Sequence, residues 1–499
     1  MSNTEPVLLS HRLESSKLLP KDDSNTGDEH LHADLMMQAV YGPEISYPHR
    51  KRVFELAVSA KDYRDRGRPS AWSAVLDQLA SRSGDDDSVD DERRLFIVAA
   101  GNVDSIDAWK RYPQSNDEEG IHDPGQSWNA LTVGACTDKV TIAGDRSSEY
   151  TAMAPAGDIS PFSTTSSTWK DQWPLKPDVV MEGGNVGQDS FGPISLDSLG
   201  LLSINYKPSD RLLTTVNATS AASALAARMA AQIMAQYPEL RPETIRGIIV
   251  HTARWTDAMK SRYGINDGSN KGDYSNLIRH CGFGVPSLQN ALWSLTNSVT
   301  MVVEDSLTPF SRSQGSSPRM NEARYHALPW PKEILSSLGP ADAEMRVTLS
   351  YYIEPNPSSR GRSKYSYESH GLRFDVQQPT ETFDHFKGRV NSQSRKDGQT
   401  YTSDSESQES WIVGKNNRHR GSIHSDIWRG SAVELATCNA IAVYPTGGWW
   451  QKRQVLGKYE SEARYSLIVT IETPKNDIDL YTPIETLVKT VVPISISQQ

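Results

Sequence analysis

Up to about residue 300 the chain alternates short apolar runs with amphipathic stretches, and after that its pattern changes. Val7-Leu8-Leu9 and Leu18-Leu19 read as strands opening a sheet, and the polar stretch from Asp22 to His32 reads as a loop. Arg52 to Ser59 forms the next apolar run, followed by a charged turn from Lys61 to Pro69. From Ser70 the spacing of Trp72, Val75, Leu76 and Leu79 predicts a helix with one buried stripe. Arg94 to Ala100 is a buried-strand pattern ending in Gly101-Asn102. A strand, a crossover helix and a second strand make a βαβ unit with parallel strands, and ligands bind such sheets at the strands' carboxyl ends. Ser59-Ala60 and Ala99-Ala100-Gly101 therefore point at one crevice. Ala130 to Ala135 and Leu175 to Val180 supply two further short strands, and Pro242 fits the first turn of a helix running through Val250.

Beyond residue 300 the period becomes two. Met345 to Ile353, Gly371 to Val376 and Tyr465 to Ile471 alternate β-branched and aromatic residues with polar ones, which argues an antiparallel β-sandwich. Asn391 to Ser410, rich in Ser, Gln and Asp, reads as a flexible excursion, and Trp449-Trp450 as core. The expected organisation is an α/β domain over residues 1–300 and a β-sandwich over 301–499, in line with a length of 499 residues.

A net charge of −10 offers no basic field for nucleic acid or an anionic membrane. No apolar run is long enough to span a bilayer, and the N-terminus has no basic region followed by an apolar one, so a cytoplasmic protein is expected. Cys136, Cys281 and Cys438 are too far apart in sequence for a disulfide framework or a metal knuckle and read as packing residues. The Glu29-His30-Leu31-His32-Ala33-Asp34 cluster does not bring three ligands to one side, so no metal is expected there.

The chemistry concentrates at Thr214 to Ala224, which runs into a small-residue helix. Ser220 falls where a helix N-terminus presents unpaired N–H groups and a positive dipole end. Taken alone, that serine is an ordinary helix cap. Its company changes the reading: Ala99-Ala100-Gly101-Asn102, Thr132-Val133-Gly134-Ala135, Lys176-Pro177-Asp178-Val179 and Ala218-Thr219-Ser220 occur in that order. This succession resembles the subtilisin-like serine peptidase family over residues 5 to 300, with Cys281-Gly282-Phe283-Gly284-Val285-Pro286 resembling the turn that closes that family's core. The resemblance implies a subtilisin-like parallel sheet flanked by helices and a peptide or protein substrate. It also implies Ser220 as nucleophile, the Asn102 side chain and the Ser220 N–H as oxyanion donors, and Ser59, Ala60, Ala99, Ala100 and Gly101 along the cleft and its primary specificity pocket. No cofactor is implied. Because members often bind structural calcium, the acidic run Gly84 to Glu92 is a candidate calcium site, although by composition it reads as a solvated loop.

Serine-based hydrolysis also needs a base in hydrogen-bond reach of the hydroxyl and a carboxylate orienting that base. The family order places both before the serine, yet no strand ending D-[ST]-G precedes Ser220 and no H-G-T occurs in the chain. His370-Gly371-Leu372 comes after Ser220. The resemblance thus begins in mid-domain, and the expectation is a chain that is incomplete or inactive as given, through a misplaced gene start, a truncated locus or a loss of catalysis. The alternatives are a non-catalytic relative that binds peptides or a partner, and a ligand-binding protein using the sandwich. Two positions depart from the family: Ala218 stands where Gly is usual and Ala224 where Pro is usual. A narrower resemblance to cytoplasmic bacterial subtilases encoded beside an AAA-type ATPase implies such an ATPase as partner.

Overall fold

The computed structural model describes residues 10–17, 29–61, 65–82, 93–144, 147–294, 300–357, 367–395, 410–472 and 494–497. The Val7-Leu8-Leu9 run, the Leu18-Leu19 run, the acidic run at 84–92 and most of the 391–410 excursion lie outside the described residues; Asn391 to Arg395 end a helix, Phe383–Arg395.

A helix, α1 (Glu29–Ser46), runs through the segment that by polarity reads as a loop up to His32. Its Ala33, Met36 and Val40 are buried at a helical spacing and pack with Trp72, Leu76 and Leu79 of α2 (Ala71–Ser81). His32 stacks on Trp72 at 4.7 Å, so burial against an indole organises this histidine. Strand β1 (Val53–Leu56) pairs in parallel with β2 (Leu95–Ala99), and β2 with β3 (Leu131–Thr137), which in turn pairs with β4 (Val179–Glu182). Both faces are covered by helices, so β2 and β3 are continuous runs of buried residues. Helix α3 (Ala218–Gln236), carrying Ser220, lies against this sheet, followed by α4 (Pro242–Thr252).

The C-terminal half forms two four-stranded antiparallel sheets. One has β5 (Thr300–Leu307), β11 (Ala463–Glu472), β7 (Asp342–Tyr351) and β9 (Ile423–Ser431) in that spatial order. The other has β8 (Gly371–Val376), β10 (Ala440–Thr446), β6 (Glu322–Ala327) and β12 (Ile494–Ser497). Met345, Val347, Leu349 and Tyr351 of β7 share a buried cluster with Leu372, Phe374, Ile441 and Val443 of the second sheet. The alternate residues of β7 meet α4: His251 sets its Nδ1 2.9 Å from Thr348 Oγ1 and its Nε2 2.7 Å from Thr470 Oγ1, and Arg246 Nε donates to Ser350 Oγ at 3.1 Å. The first sheet is therefore covered on both faces, one apolar and one polar. Trp449 and Trp450 are buried with Phe310, and both indole N–H groups donate to Glu354. No described helix is long and apolar enough to cross a membrane.

Candidate active site

Strand polarity brings the carboxyl ends of β1 and β2 to the N-terminus of α3. Thr219, the residue before Ser220, is buried and clasps the end of β2. Its backbone N–H donates to Asn102 Oδ1 at 3.0 Å, and its hydroxyl lies 2.6 Å from the same oxygen and 3.1 Å from the Gly101 carbonyl. The Gly101 N–H in turn donates to the Thr219 hydroxyl at 3.2 Å. Two donors converging on Asn102 Oδ1 set the orientation of its amide, with Nδ2 on the side away from Thr219. The oxyanion donor named from the sequence and the helix turn bearing Ser220 are thereby joined through one hydrogen-bonded residue.

Ser220 is half-buried in the first turn of α3, and its hydroxyl donates to the Ala57 carbonyl at 3.3 Å. Among the described residues, no imidazole is hydrogen-bonded to it. One turn on, the Ser223 hydroxyl lies 2.6 Å from Glu55 Oε1 of β1 and 3.0 Å from the Ser220 carbonyl. The chain enters this turn through Ala218, whose φ of +72° lies in the left-handed region that disfavours any residue with a Cβ. A 2.6 Å bond from the Ala218 N–H to the Gly183 carbonyl holds it there.

Of the cleft residues named from the sequence, Ser59 and Ala60 are half-buried, whereas Ala99 and Ala100 are fully buried and can offer a substrate only their backbone. Gly101 has φ +97°, and a Cβ there would lie 2.2 Å from Cγ of His122. His122 was not singled out by pattern, because a lone histidine in Ile121-His122-Asp123-Pro124 carries no periodicity. It stands between the two cleft segments with Nδ1 3.3 Å from Ser59 Oγ. Burial, and secondarily the Lys61 charge, lower its pKa to about 4 against a weaker opposing effect of Asp104. Thr219 was part of the motif quoted from the sequence, but its role as clasp is visible only in three dimensions.

Residues 1–284, more than half of the chain, match the model described as Subtilase family (Peptidase_S8). The chain is 24% identical over 366 residues to the uncharacterized protein y4bN of Sinorhizobium fredii, covering 69% of this chain and 74% of y4bN. It is 25% identical over 235 residues to the serine protease AprX of Bacillus subtilis, covering 46% of this chain and 40% of AprX. Among solved structures, the self-cleaved protease domain of PatA matches with a TM-score of 0.30 and 16% identity over 55% of this chain and 70% of that one. MycP1 with its N-terminal propeptide removed matches with a TM-score of 0.29 and 18% identity over 53% and 66%. With the ordered motifs along the parallel sheet and the family match over its first 284 residues, the chain belongs to the subtilase family.

Proposed function

We propose that this crevice binds an extended stretch of peptide or protein with a carbonyl placed over Ser220, and that Asn102 Nδ2 and the Ser220 N–H are the donors for an oxyanion at that carbonyl. The observation that supports the reading is the Thr219 clasp, which ties Asn102 Oδ1 to the helix turn that carries Ser220. Donors held in place before charge develops stabilise a tetrahedral intermediate without reorganisation, and loss of one such donor in subtilisin costs about 10²–10³ in kcat. The 499-residue chain supplies a serine and an oxyanion site, while the serine hydroxyl spends its hydrogen bond on a main-chain carbonyl. In subtilisin, loss of the triad histidine costs about 2 × 10⁶ in kcat. The chain as given is thus expected to bind peptides and to hydrolyse them very slowly or not at all.

The test is a fluorophosphonate probe, which reacts only with an activated serine, applied beside a casein assay to the wild type and to Ser220→Ala. Absence of labelling at Ser220, with peptide binding retained, is the expected result. Labelling of Ser220 at the rate of an active serine peptidase would mean that a base within this chain reaches the hydroxyl. The second reading, a non-catalytic peptide-binding relative, is favoured by the same Ser220–Ala57 bond. It predicts that Ser220→Ala and Asn102→Ala leave peptide affinity unchanged, and that no partner restores labelling.

A further inference from the structure

The crevice between Ser59-Ala60 and Ala100-Gly101 has a floor, and the floor is a histidine with one idle nitrogen. The backbone N–H of His122 donates to the Ala100 carbonyl at 2.9 Å, which ties it to one wall. The next residue, Asp123, exchanges two 2.8 Å backbone bonds with Ala60, which ties the same segment to the other wall. Gly101 has no Cβ and the imidazole occupies that space, so the ring is seated directly beneath the first wall. Its Nδ1 faces Ser59 Oγ; its Nε2 is buried and has no hydrogen-bond partner, in a side chain only 6% exposed. Buried polar atoms are almost always paired, so an unpaired one between two prospective substrate walls points to a ligand atom that completes it. Above the floor, Lys61 and Asp104, each just beyond one wall, form an exposed 3.1 Å ion pair across the mouth.

Burial keeps the ring neutral. If the Ser59 hydroxyl donates to Nδ1, the ring proton sits on Nε2, a buried donor left without a partner. Exposed ion pairs are weak, so an entering anion can replace Asp104 as the partner of Lys61. A side chain that accepts a hydrogen bond from an imidazole N–H and also takes over the negative charge of Asp104 beside the Lys61 ammonium is a carboxylate. We propose that His122 is the specificity-determining residue of this pocket, and that the pocket takes a substrate side chain ending in a carboxylate, held by His122 Nε2–H below and Lys61 at the rim. The inference rests on the peptide-cleft reading above.

The test uses the full chain and fluorescein-labelled tetrapeptide amides identical except for a final Asp, Glu, Leu, Phe or Lys, so that the side chain carries the only variable charge. Binding is read by fluorescence anisotropy, and the fold of each variant by circular dichroism. Hydrogen bonds to a charged group predict that the Asp or Glu peptide binds about tenfold to a hundredfold more tightly than the Leu peptide. His122→Ala should abolish that preference, His122→Gln, which keeps an N–H, should retain part of it, and Lys61→Ala should weaken the acidic peptides alone. In the wild type, the His122 ring signal in the NMR spectrum should shift with the Asp peptide and not with the Leu peptide. A preference for Leu, Phe or Lys, or an acidic preference that survives in a folded His122→Ala, overturns the pocket assignment while leaving the cleft reading in place. Should His122→Ala fail to fold, Lys61→Ala, an exposed position, decides the same question. If no peptide binds, the cleft reading itself falls and the pocket with it.

Discussion

Arg246 offers the sharpest test of how the two halves of the chain are joined. It lies on α4 with no exposed surface, and its guanidinium is satisfied mainly by carbonyls from three separate segments. Nη1 donates to Trp128 O at 3.1 Å and Asn129 O at 2.8 Å, and Nη2 to Tyr351 O and Ser422 O, each at 2.8 Å. The group also lies 4.8 Å over the Tyr352 ring. Arg246→Met keeps much of the stem and removes every donor. Trp128 O would keep the Ser422 hydroxyl at 2.6 Å and Ser422 O would keep the Tyr351 N–H at 3.0 Å, whereas Asn129 O and Tyr351 O would lose their guanidinium partner. Two buried carbonyls left short cost about 1–3 kcal/mol each, or roughly 2–6 kcal/mol. Part of that is returned because the variant no longer buries a cation, so the net loss should be about 2–4 kcal/mol. Urea unfolding of the wild type and Arg246→Met, followed by tryptophan fluorescence and far-ultraviolet circular dichroism, measures the difference. A change below about 0.5 kcal/mol, the scatter of neutral surface substitutions, would refute the view that this arginine bolts the α/β half to the sandwich.

Two other outcomes follow from single positions. Ala218→Gly should stabilise the chain by about 0.5–1 kcal/mol, because relief of roughly 1–2 kcal/mol of left-handed strain exceeds the roughly 0.4–1 kcal/mol of extra unfolded-state freedom that glycine brings; a lower urea midpoint in the variant would contradict the strain. Burial holds His122, His251, His326, His370 and His419 neutral below their ordinary pKa, His122 and His326 to about 4 and His370 to about 3. The unfolded chain therefore binds protons first as pH falls, so stability present above about pH 6.5 is lost on acidification at ~1.4 kcal/mol per pH unit for each such histidine. Equal urea midpoints at pH 7.5 and pH 5.0 would rule this out.

The parts of the fold that could be read from the sequence are those whose burial leaves a periodic trace. β2 and β3 are uninterrupted apolar runs because helices cover both faces of their sheet, and α2 shows one apolar stripe. Helix α1 escaped because its buried face is only Ala33, Met36 and Val40 among histidines and acids, and because His32 is spoken for by a tryptophan forty residues later. The alternation in β7 was legible as alternation, but period two says only that two faces differ. It does not say that Arg346, Thr348 and Ser350 lie under a helix and not in water. The polar partners of that seam, Arg246 and His251, sit on a helix whose Glu243 and Thr244 are buried as well, and polar residues on a helix read by pattern as solvent-facing. In the site, Ser220 and Asn102 stand in recognisable strings, whereas the Thr219 clasp and the His122 floor are properties of loops brought together by the sheet, for which sequence spacing carries no signal.

The placement of the sandwich bears on the crevice itself. Ala100 and Ile121, the residues just before Gly101 and His122, belong to the same buried cluster as Leu349, Tyr351 and Ile353 of the C-terminal half. The loop that follows His122 is fastened from that side as well: Asn129 exchanges hydrogen bonds with the backbone of Ile353 at 2.7 and 2.9 Å. Buried Asp77 of α2 accepts from the Tyr367 hydroxyl at 2.5 Å and from the Asn129 N–H at 2.7 Å. A binding site needs its walls held to within a fraction of an ångström by a supporting layer. Here the segment from Ile121 to Asn129 is clamped between α2 and the sandwich. The C-terminal half is thus part of what positions His122, and on the proposed pocket Asn129→Ala should weaken the binding of the acidic peptides without removing any group that touches them, whereas unchanged affinity in a folded variant would contradict this coupling.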